Sequence, residues 1–168
     1  MLLLLLFLLP LTSPSPPLLP PPPPCTSPLH TLVLVHSAPS HSSLRQTLRE
    51  TWARPRSGVL RTVFVVGEVK DQRVAEKVRE EGARHGDLLQ GAFTDSYRNL
   101  TRKHLLGLAW AQDSCPQATW ILKTDDDQFV DTLHLPRLLR ELHLEHTDRL
   151  FLCQVLHRGP ERDPASKW

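Results

Sequence analysis

Residues 120–130 read WILKTDDDQFV, and this stretch decides how the fold and the site are interpreted. The apolar run Trp120 to Leu122 is typical of a strand buried on both faces, because polar and apolar side chains do not alternate in it. Three adjacent carboxylates, Asp125, Asp126 and Asp127, follow two residues later. Because like charges repel, the cluster predicts either a bound divalent cation or a solvated acidic turn that caps the next helix.

The chemistry of the three aspartates favours a hard cation. Ligand sets made only of oxygen suit Mg²⁺ and Mn²⁺, which keep several waters and accept phosphate oxygens as further ligands. We therefore expect a metal–diphosphate site at the end of this strand.

Outward from this stretch, short apolar runs alternate with amphipathic segments, which is typical of βαβ units and a mainly parallel sheet. The sequence predicts an α/β fold with helices on both faces of the sheet. The carboxyl ends of the strands then meet at one edge, where a ligand is expected. The five predicted strands are Leu32 to Val35, Val63 to Val66, Leu88 to Leu89, Trp120 to Leu122 and Leu150 to Leu152.

Four helices are predicted between and after these strands. The first carries Leu44, Leu48 and Trp52 on one face. Ser43 and Gln46 have the spacing of a capping box at its start. The other three are marked by Val74 and Val78 with an end near Gly82, by the segment Tyr97 to Gln112, and by Leu135, Leu138, Leu139 and Leu142.

The N-terminal segment has a different composition. Residues 1–9 are a hydrophobic run about half as long as the roughly 20 residues of a membrane span, and a proline-rich tract follows. We interpret residues 1–28 as a leader or a clipped signal-anchor followed by a proline-rich stem that acts as a spacer. Residues 29–168 are interpreted as the folded unit.

Composition argues against nucleic acid as a partner, and the number of cysteines leaves their pairing undecided. A formal net charge of +2, with lysine and arginine spread among the acidic residues, excludes a one-sided basic face for nucleic acid. The nine histidines show no metal-ligand spacing, and we assign them no ligand role.

The three cysteines, Cys25, Cys115 and Cys153, cannot all pair within the chain. Either a partner lies in further sequence, or Cys115 and Cys153 are buried free thiols.

Several motifs in order resemble one enzyme family, the inverting β-1,3-galactosyl- and β-1,3-N-acetylglucosaminyltransferases. The resemblance starts from WILKTDDDQFV and covers about 140 residues. The other matching stretches are SAPS at 37–40, Arg45, RETW at 49–52, FVVG at 64–67, HGDLLQ at 85–90, DSYRNLT at 95–101, Cys115 with Pro116, and RDPASKW at 162–168. Arg102 and His104 depart from it, because they stand where the family commonly has an apolar residue and a threonine.

The resemblance implies a fold and a reaction. It implies a GT-A, Rossmann-like fold whose C-terminal part is missing here, and a single-pass type II protein of the Golgi membrane with a lumenal domain. It also implies transfer of galactose or an N-acetylhexosamine from a UDP-sugar to a glycan acceptor on a glycoprotein, glycolipid or proteoglycan. The linkage formed would be β-1,3, with inversion, and the cofactor Mn²⁺ or Mg²⁺.

The resemblance also implies roles for individual residues. Asp127 is similar to the family's main metal ligand, Asp125 would support it, and Asp126 would lie near the ribose or sugar of the donor.

Arg45 and Arg49, four residues apart on one helix, are candidate nucleotide contacts, with a surface ion pair to Glu50 or a neighbour as the alternative. Lys103 is a candidate contact to the carboxylates or diphosphate, with a solvent-facing lysine as the alternative.

Two further expectations concern modification and activity. Asn99, Leu100 and Thr101 form an N-glycosylation sequon, although a place inside the third helix would keep the glycan from Asn99. The family's catalytic base is expected in a C-terminal half beyond Trp168. The sequence therefore leaves a second interpretation open, an inactive remnant that binds UDP and metal or partners with an intact transferase.

Overall fold

A computed structural model of the chain describes residues 19–141 and 150–153. The strands are β1 (Leu29–His36), β2 (Leu60–Glu68), β3 (Leu88–Thr94) and β4 (Ala118–Asp125). The helices are α1 (Ser42–Glu50), α2 (Gln72–His85), α3 (Leu100–Ser114) and α4 (Leu135–Glu141), with a 3₁₀ turn at Tyr97–Asn99 before α3. Strands and helices alternate along the chain, so the predicted α/β class is confirmed.

All strand pairs of the described sheet are parallel, in the order β3-β2-β1-β4. The chain runs outward from β1 to β2 and β3, then returns across the sheet to place β4 on the other side of β1. Strand order therefore reverses between β1 and β4, where His36 pairs with Asp125. Such a switch point opens a crevice at the carboxyl ends of the strands.

The sheet is covered on both faces. Side chains of one face, including Val35 and Phe64, pack with Leu48 of α1 and Val78 of α2. The other face packs against Trp110 of α3 and its neighbours. The central strands β1 and β2 are almost completely buried, which explains their continuous apolar sequence.

Helix α1 differs from its predicted face and cap. Leu44 is 38% exposed, whereas Arg45 is fully buried together with Leu48. The buried side of α1 is therefore turned toward Arg45, because an ion pair beneath the helix receives that side chain. The predicted capping box is also wrong, since the helix begins at Ser42 with His41 as its N-cap and Gln46 bonds to Glu50 instead.

Helix α2 passes through Gly82, where the sequence predicted its end. It ends at His85 and is capped by Gly86, whose φ of 64° is the left-handed conformation that favours glycine. Gly82 has a packing role, because a Cβ there would lie 2.8 Å from Cδ1 of Leu19.

Two strand predictions are wrong. Strand β4 is not buried on both faces, since its side chains alternate in exposure and Ile121 is 46% exposed. The cause is its position at the edge of the described sheet. Residues 150–153 form no strand, and Phe151 is 91% exposed, because no neighbouring strand pairs with this segment among the described residues.

The end of the proline-rich tract packs on the fold. Leu19 is buried in the α2 side of the core, and the backbone N–H of Cys25 donates to the carbonyl of Ser114 at 2.7 Å. Cys25 forms a disulfide with Cys115, and Cys153 is a free, exposed thiol. A partner for Cys115 therefore lies within the chain, and the alternative of two buried free thiols is wrong. Across residues 19–141 and 150–153, no helix is long and apolar enough to cross a membrane.

Candidate functional site

A cleft of about 620 Å³ opens at the carboxyl edge of the sheet, at the switch point between β1 and β4. Three parts of the chain surround it: the turn after β1, the turn from β3 into α3, and the aspartates that end β4. Its lining residues are His36, Ser37, Ala38, His41, Asp95, Ser96, Tyr97, Leu100, Thr101, Lys103, His104, Lys123, Asp125, Asp126 and Asp127.

Asp126 is the buried member of the three aspartates, at 8% exposure. Its Oδ2 accepts a hydrogen bond from the hydroxyl of Ser37 at 2.7 Å and lies 2.9 Å from Nδ1 of His41. Its backbone N–H donates to the carbonyl of His36 at 3.1 Å. The centre of the acidic turn is therefore tied to the segment after β1.

Asp125 and Asp127 are exposed, and within the described part of the chain their side-chain hydrogen bonds come from close sequence neighbours. Asp125 accepts from Nζ of Lys123 at 2.7 Å, and Asp127 accepts from the amide of Gln128 at 2.9 Å. Oδ1 of Asp125 also lies 4.0 Å from Nδ1 of the buried His36. Both carboxylates line the cleft. They are the cleft's exposed acidic groups.

Lys103 lines the cleft from α3 but is only 3% exposed, so the solvent-facing alternative is wrong. Its Nζ donates to the carbonyl of Ser37 at 2.8 Å and to Oδ1 of Asp95 at 2.9 Å. Oδ2 of Asp95 in turn accepts the backbone N–H of Gly67 at 2.6 Å. The ammonium thus links the ends of β1, β2 and β3.

Arg45 does not line the cleft in this structure. Its guanidinium is fully buried and forms a two-point ion pair with Glu81 of α2, with N–O distances of 2.8 and 2.7 Å. The same guanidinium donates to Ser37 Oγ and to the carbonyls of Ala38 and Pro39. Arg45 therefore holds the turn that forms one wall of the cleft.

Arg49 also lies outside the cleft. It donates to both carboxylate oxygens of Asp87, at 2.7 and 2.8 Å, and to Glu81 at 2.7 Å. Its guanidinium carbon lies 4.8 Å from the ring centroid of Phe64. Burial lowers the pKa of Arg49, but the bonds to Asp87 and Glu81 outweigh this and raise it. The ion-pair partners are Glu81 and Asp87, not Glu50.

Residues 43–168 match the family described as Galactosyltransferase. The chain belongs to the galactosyltransferase family. It is 36% identical over 146 residues to beta-1,3-galactosyltransferase 5 of Pan paniscus, covering 84% of this chain and 48% of that protein. It is 42% identical over 118 residues to beta-1,3-galactosyltransferase 4 of Mus musculus, covering 68% and 31%.

A third relative in this family transfers a different sugar. The acetylgalactosaminyl-O-glycosyl-glycoprotein beta-1,3-N-acetylglucosaminyltransferase of Homo sapiens is 39% identical over 148 residues, covering 82% of this chain and 38% of that protein. The chain therefore spans less than half the length of these relatives. The predicted family is confirmed, and the parallel α/β sheet agrees with a GT-A, Rossmann-like fold.

The acidic turn, Asp125 to Asp127, provides few protein ligands for a metal ion. In the part of the chain that the structure describes, no group of three or more His, Cys, Asp or Glu side chains lies close enough together to hold a metal ion. Mg²⁺ and its analogues are commonly bound by one or two carboxylates plus phosphate oxygens and waters. Asp125 and Asp127, exposed at the cleft, fit that smaller requirement.

Asn99 of the sequon precedes α3 as its N-cap rather than lying within the helix. Its side-chain amide donates to the carbonyl of Thr94 at 2.8 Å, and Asn99 is not among the residues that line the cleft. The amide nitrogen that would carry a glycan is thus already engaged.

Sequence reasoning missed three histidines of the cleft, His36, His41 and His104. His41 contacts Asp126, and the rings of His36 and His104 pack edge to face with centroids 5.6 Å apart. Burial, with Lys123 and Lys103 nearby, lowers the pKa of His36 to about 4 although Asp125 opposes the shift. Their positions in the sequence could have indicated two of them, because His36 ends a strand and His41 precedes a helix at the predicted ligand edge.

Proposed function

We propose that the chain supplies the donor-binding part of a UDP-sugar-dependent β-1,3-glycosyltransferase, which transfers galactose or an N-acetylhexosamine with inversion to a glycan acceptor. The family membership supports the reaction class, because relatives of the chain are named β-1,3-galactosyltransferases and a β-1,3-N-acetylglucosaminyltransferase. The observation that carries the proposal is the acidic turn of β4 at the switch point of a parallel sheet, where such folds bind nucleotides.

Within the cleft we assign a cation to the exposed pair. Asp125 and Asp127 would hold Mn²⁺ or Mg²⁺, which when bound stabilises negative charge on the departing diphosphate. Asp126, held on one oxygen, keeps its second oxygen for a hydroxyl of the donor. Lys103 adds positive charge at the cleft wall while it braces Ser37 and Asp95. These residues bind and orient the donor.

A second candidate function is donor binding without transfer. Inverting transfer requires a base that takes the proton of the acceptor hydroxyl. Among the described residues, the carboxylates that line the cleft are Asp95, which is paired with Lys103, and the three aspartates assigned to the donor. The second candidate is therefore a chain that binds UDP with metal without transferring sugar by itself, or that partners with an intact transferase.

We propose the Golgi lumen as the location, with the N-terminal segment as membrane anchor. The disulfide between Cys25 and Cys115 supports a secretory compartment, because such bonds persist in oxidising surroundings. The amide of Asn99 is held by the carbonyl of Thr94 at the start of α3, and we therefore expect the sequon to stay unmodified.

Calorimetric titration of UDP into the full chain, with and without Mn²⁺, tests the donor site. We expect binding that depends on Mn²⁺ and is lost in Asp127→Ala. The control is Asp113→Ala, which removes an exposed aspartate near the C-terminal end of α3 and should bind as the unchanged chain does. Absence of binding by a folded chain would overturn the donor site.

A transfer assay separates the two candidate functions. It uses UDP-galactose, UDP-N-acetylglucosamine and UDP-N-acetylgalactosamine, each with glycan acceptors, and measures formation of the β-1,3 product. Product formation would establish the enzyme and identify the sugar. UDP binding with no product would support the second candidate.

A further inference from the structure

Ser37 is the first residue after β1, and it joins the acidic turn to two buried cations. It is 2% exposed, and its backbone N–H donates to the carbonyl of Val65 at 3.1 Å. We infer that Ser37 is a positioning residue of the proposed donor site, through which Arg45 and Lys103 fix the carboxylate of Asp126. The inference rests on the proposed function, because it assigns a task to a residue within that site.

The hydroxyl of Ser37 lies between a cation and a carboxylate. Nη1 of Arg45 donates to Oγ at 2.8 Å, and Oγ lies 2.7 Å from Oδ2 of Asp126. The only other acceptor within reach among the described residues is the carbonyl of Ala38, at 3.4 Å. A hydroxyl has one proton, and the shorter, charge-assisted bond takes it. The proton of Ser37 therefore goes to Asp126, while Arg45 binds the oxygen lone pair.

The second cation reaches Ser37 from the opposite face of the sheet. Lys103 belongs to α3, whereas Arg45 belongs to α1, and these helices cover different faces. Nζ of Lys103 donates to the main-chain carbonyl of Ser37 at 2.8 Å. Ser37 is therefore held at its hydroxyl from one side and at its carbonyl from the other.

This arrangement fixes Asp126 more firmly than its neighbours. Contacts run from Glu81 to Arg45, from Arg45 to Ser37, and from Ser37 to Asp126, so the carboxylate is connected to the buried core. Among the described residues, the side-chain hydrogen bonds of Asp125 and Asp127 come from Lys123 and Gln128, and Asp125 has one longer contact, of 4.0 Å, to Nδ1 of His36. Asp126 is the anchor that sets where the two exposed carboxylates lie in the cleft.

Three substitutions of Ser37 separate positioning from packing. Ser37→Ala removes the hydroxyl, Ser37→Cys replaces it with a somewhat larger thiol that donates weakly, and Ser37→Thr keeps the hydroxyl and adds a methyl group. If the hydroxyl positions Asp126, affinity for UDP with Mn²⁺ should fall about 10- to 100-fold in the first two variants, as for other residues that orient metal ligands. Ser37→Thr should bind within a few-fold of the unchanged chain, although its extra methyl lowers the melting temperature.

Titration calorimetry and thermal melts of the full chain give the two readouts. Ser43→Ala, an exposed serine in the first turn of α1, is the matched control and should leave both unchanged. Ser37→Cys keeps the test decisive if the alanine or threonine variant does not fold. A folded Ser37→Cys variant with unchanged UDP affinity would overturn the inference and leave the donor site intact. If the unchanged chain does not bind UDP, the proposed function fails, and the inference fails with it.

Discussion

Two groups of charged residues, one on α1 and one at the end of β4, differ in burial and in their partners. On α1, the guanidiniums of Arg45 and Arg49 are neutralised inside the protein by Glu81 and Asp87. At the end of β4, the carboxylates of Asp125 and Asp127 are exposed at the cleft and accept hydrogen bonds from exposed sequence neighbours. Both groups are charged residues near the ligand edge of the sheet.

Charges that already have a buried partner are not available to a ligand, whereas exposed ones are. In a buried ion pair, each partner neutralises the charge of the other. Arg45 also donates hydrogen bonds to Ser37, Ala38 and Pro39. The exposed carboxylates repel one another and gain most from a cation. We therefore expect substitutions in the α1 network to change stability first, and those at the end of β4 to change binding first.

The largest expected effect is on stability, from Glu81→Ala. The change leaves the fully buried guanidinium of Arg45 without a counter-ion, which typically costs about 3–5 kcal/mol. Urea unfolding followed by circular dichroism measures the free energy of unfolding. Glu80→Ala, the exposed neighbour on the same helix, is the control and should cost less than about 0.5 kcal/mol. Equal stability of the two variants would contradict the role of the network.

The second effect is on binding, from Asp127→Asn. Loss of one carboxylate charge at the proposed metal site should weaken UDP binding in Mn²⁺ by about 100-fold, or about 2.7 kcal/mol. Stability should change by less than about 0.5 kcal/mol, because Asp127 is exposed. Calorimetric titration and urea unfolding of the same sample check both statements. A large loss of stability would mean that the turn is structural, and the contrast with α1 would fail.

The third effect is smaller and comes from Arg49→Lys. Lysine keeps the charge but lacks the planar fork that bonds both oxygens of Asp87, and it loses the stacked contact with Phe64. We expect a loss of about 1–2 kcal/mol in the free energy of unfolding, with unchanged affinity for UDP. A loss of UDP affinity in a stable variant would instead return Arg49 to the nucleotide site.

Much of the fold could be predicted because its signals are local. Continuous apolar runs identified β1, β2 and β3, and the resemblance carried by the WILKTDDDQFV stretch identified the family. The edge position of β4 could not be found in this way, because its apolar run resembles that of a buried strand. Burial on both faces depends on what packs against a strand, which its own sequence does not specify.

The site was predicted in part, for a related reason. Helical spacing correctly placed Arg45 and Arg49 on one side of α1, but the partner Glu81 lies 36 residues beyond Arg45 in sequence. Ser37, although part of the SAPS stretch, and His41 were given no role from sequence, because their importance comes from contact with Asp126. Side chains that act through tertiary contacts leave little trace in local sequence.

The smallest effect concerns pH and the charge of Glu81. Burial raises the pKa of Glu81, but the hydrogen bonds from Arg45 and Arg49 outweigh it and hold the pKa below its usual 4.5. A carboxyl whose pKa is lower in the folded state contributes stability above the unfolded value, and loses it as the pH falls through the folded value. Glu81→Gln cannot lose this proton-linked stability. The difference in free energy of unfolding between the unchanged chain and this variant should therefore narrow below about pH 4.5. Urea unfolding from pH 7 to pH 3 measures it, and a difference that stays constant with pH would show that Glu81 and Arg45 interact without an ionised carboxylate.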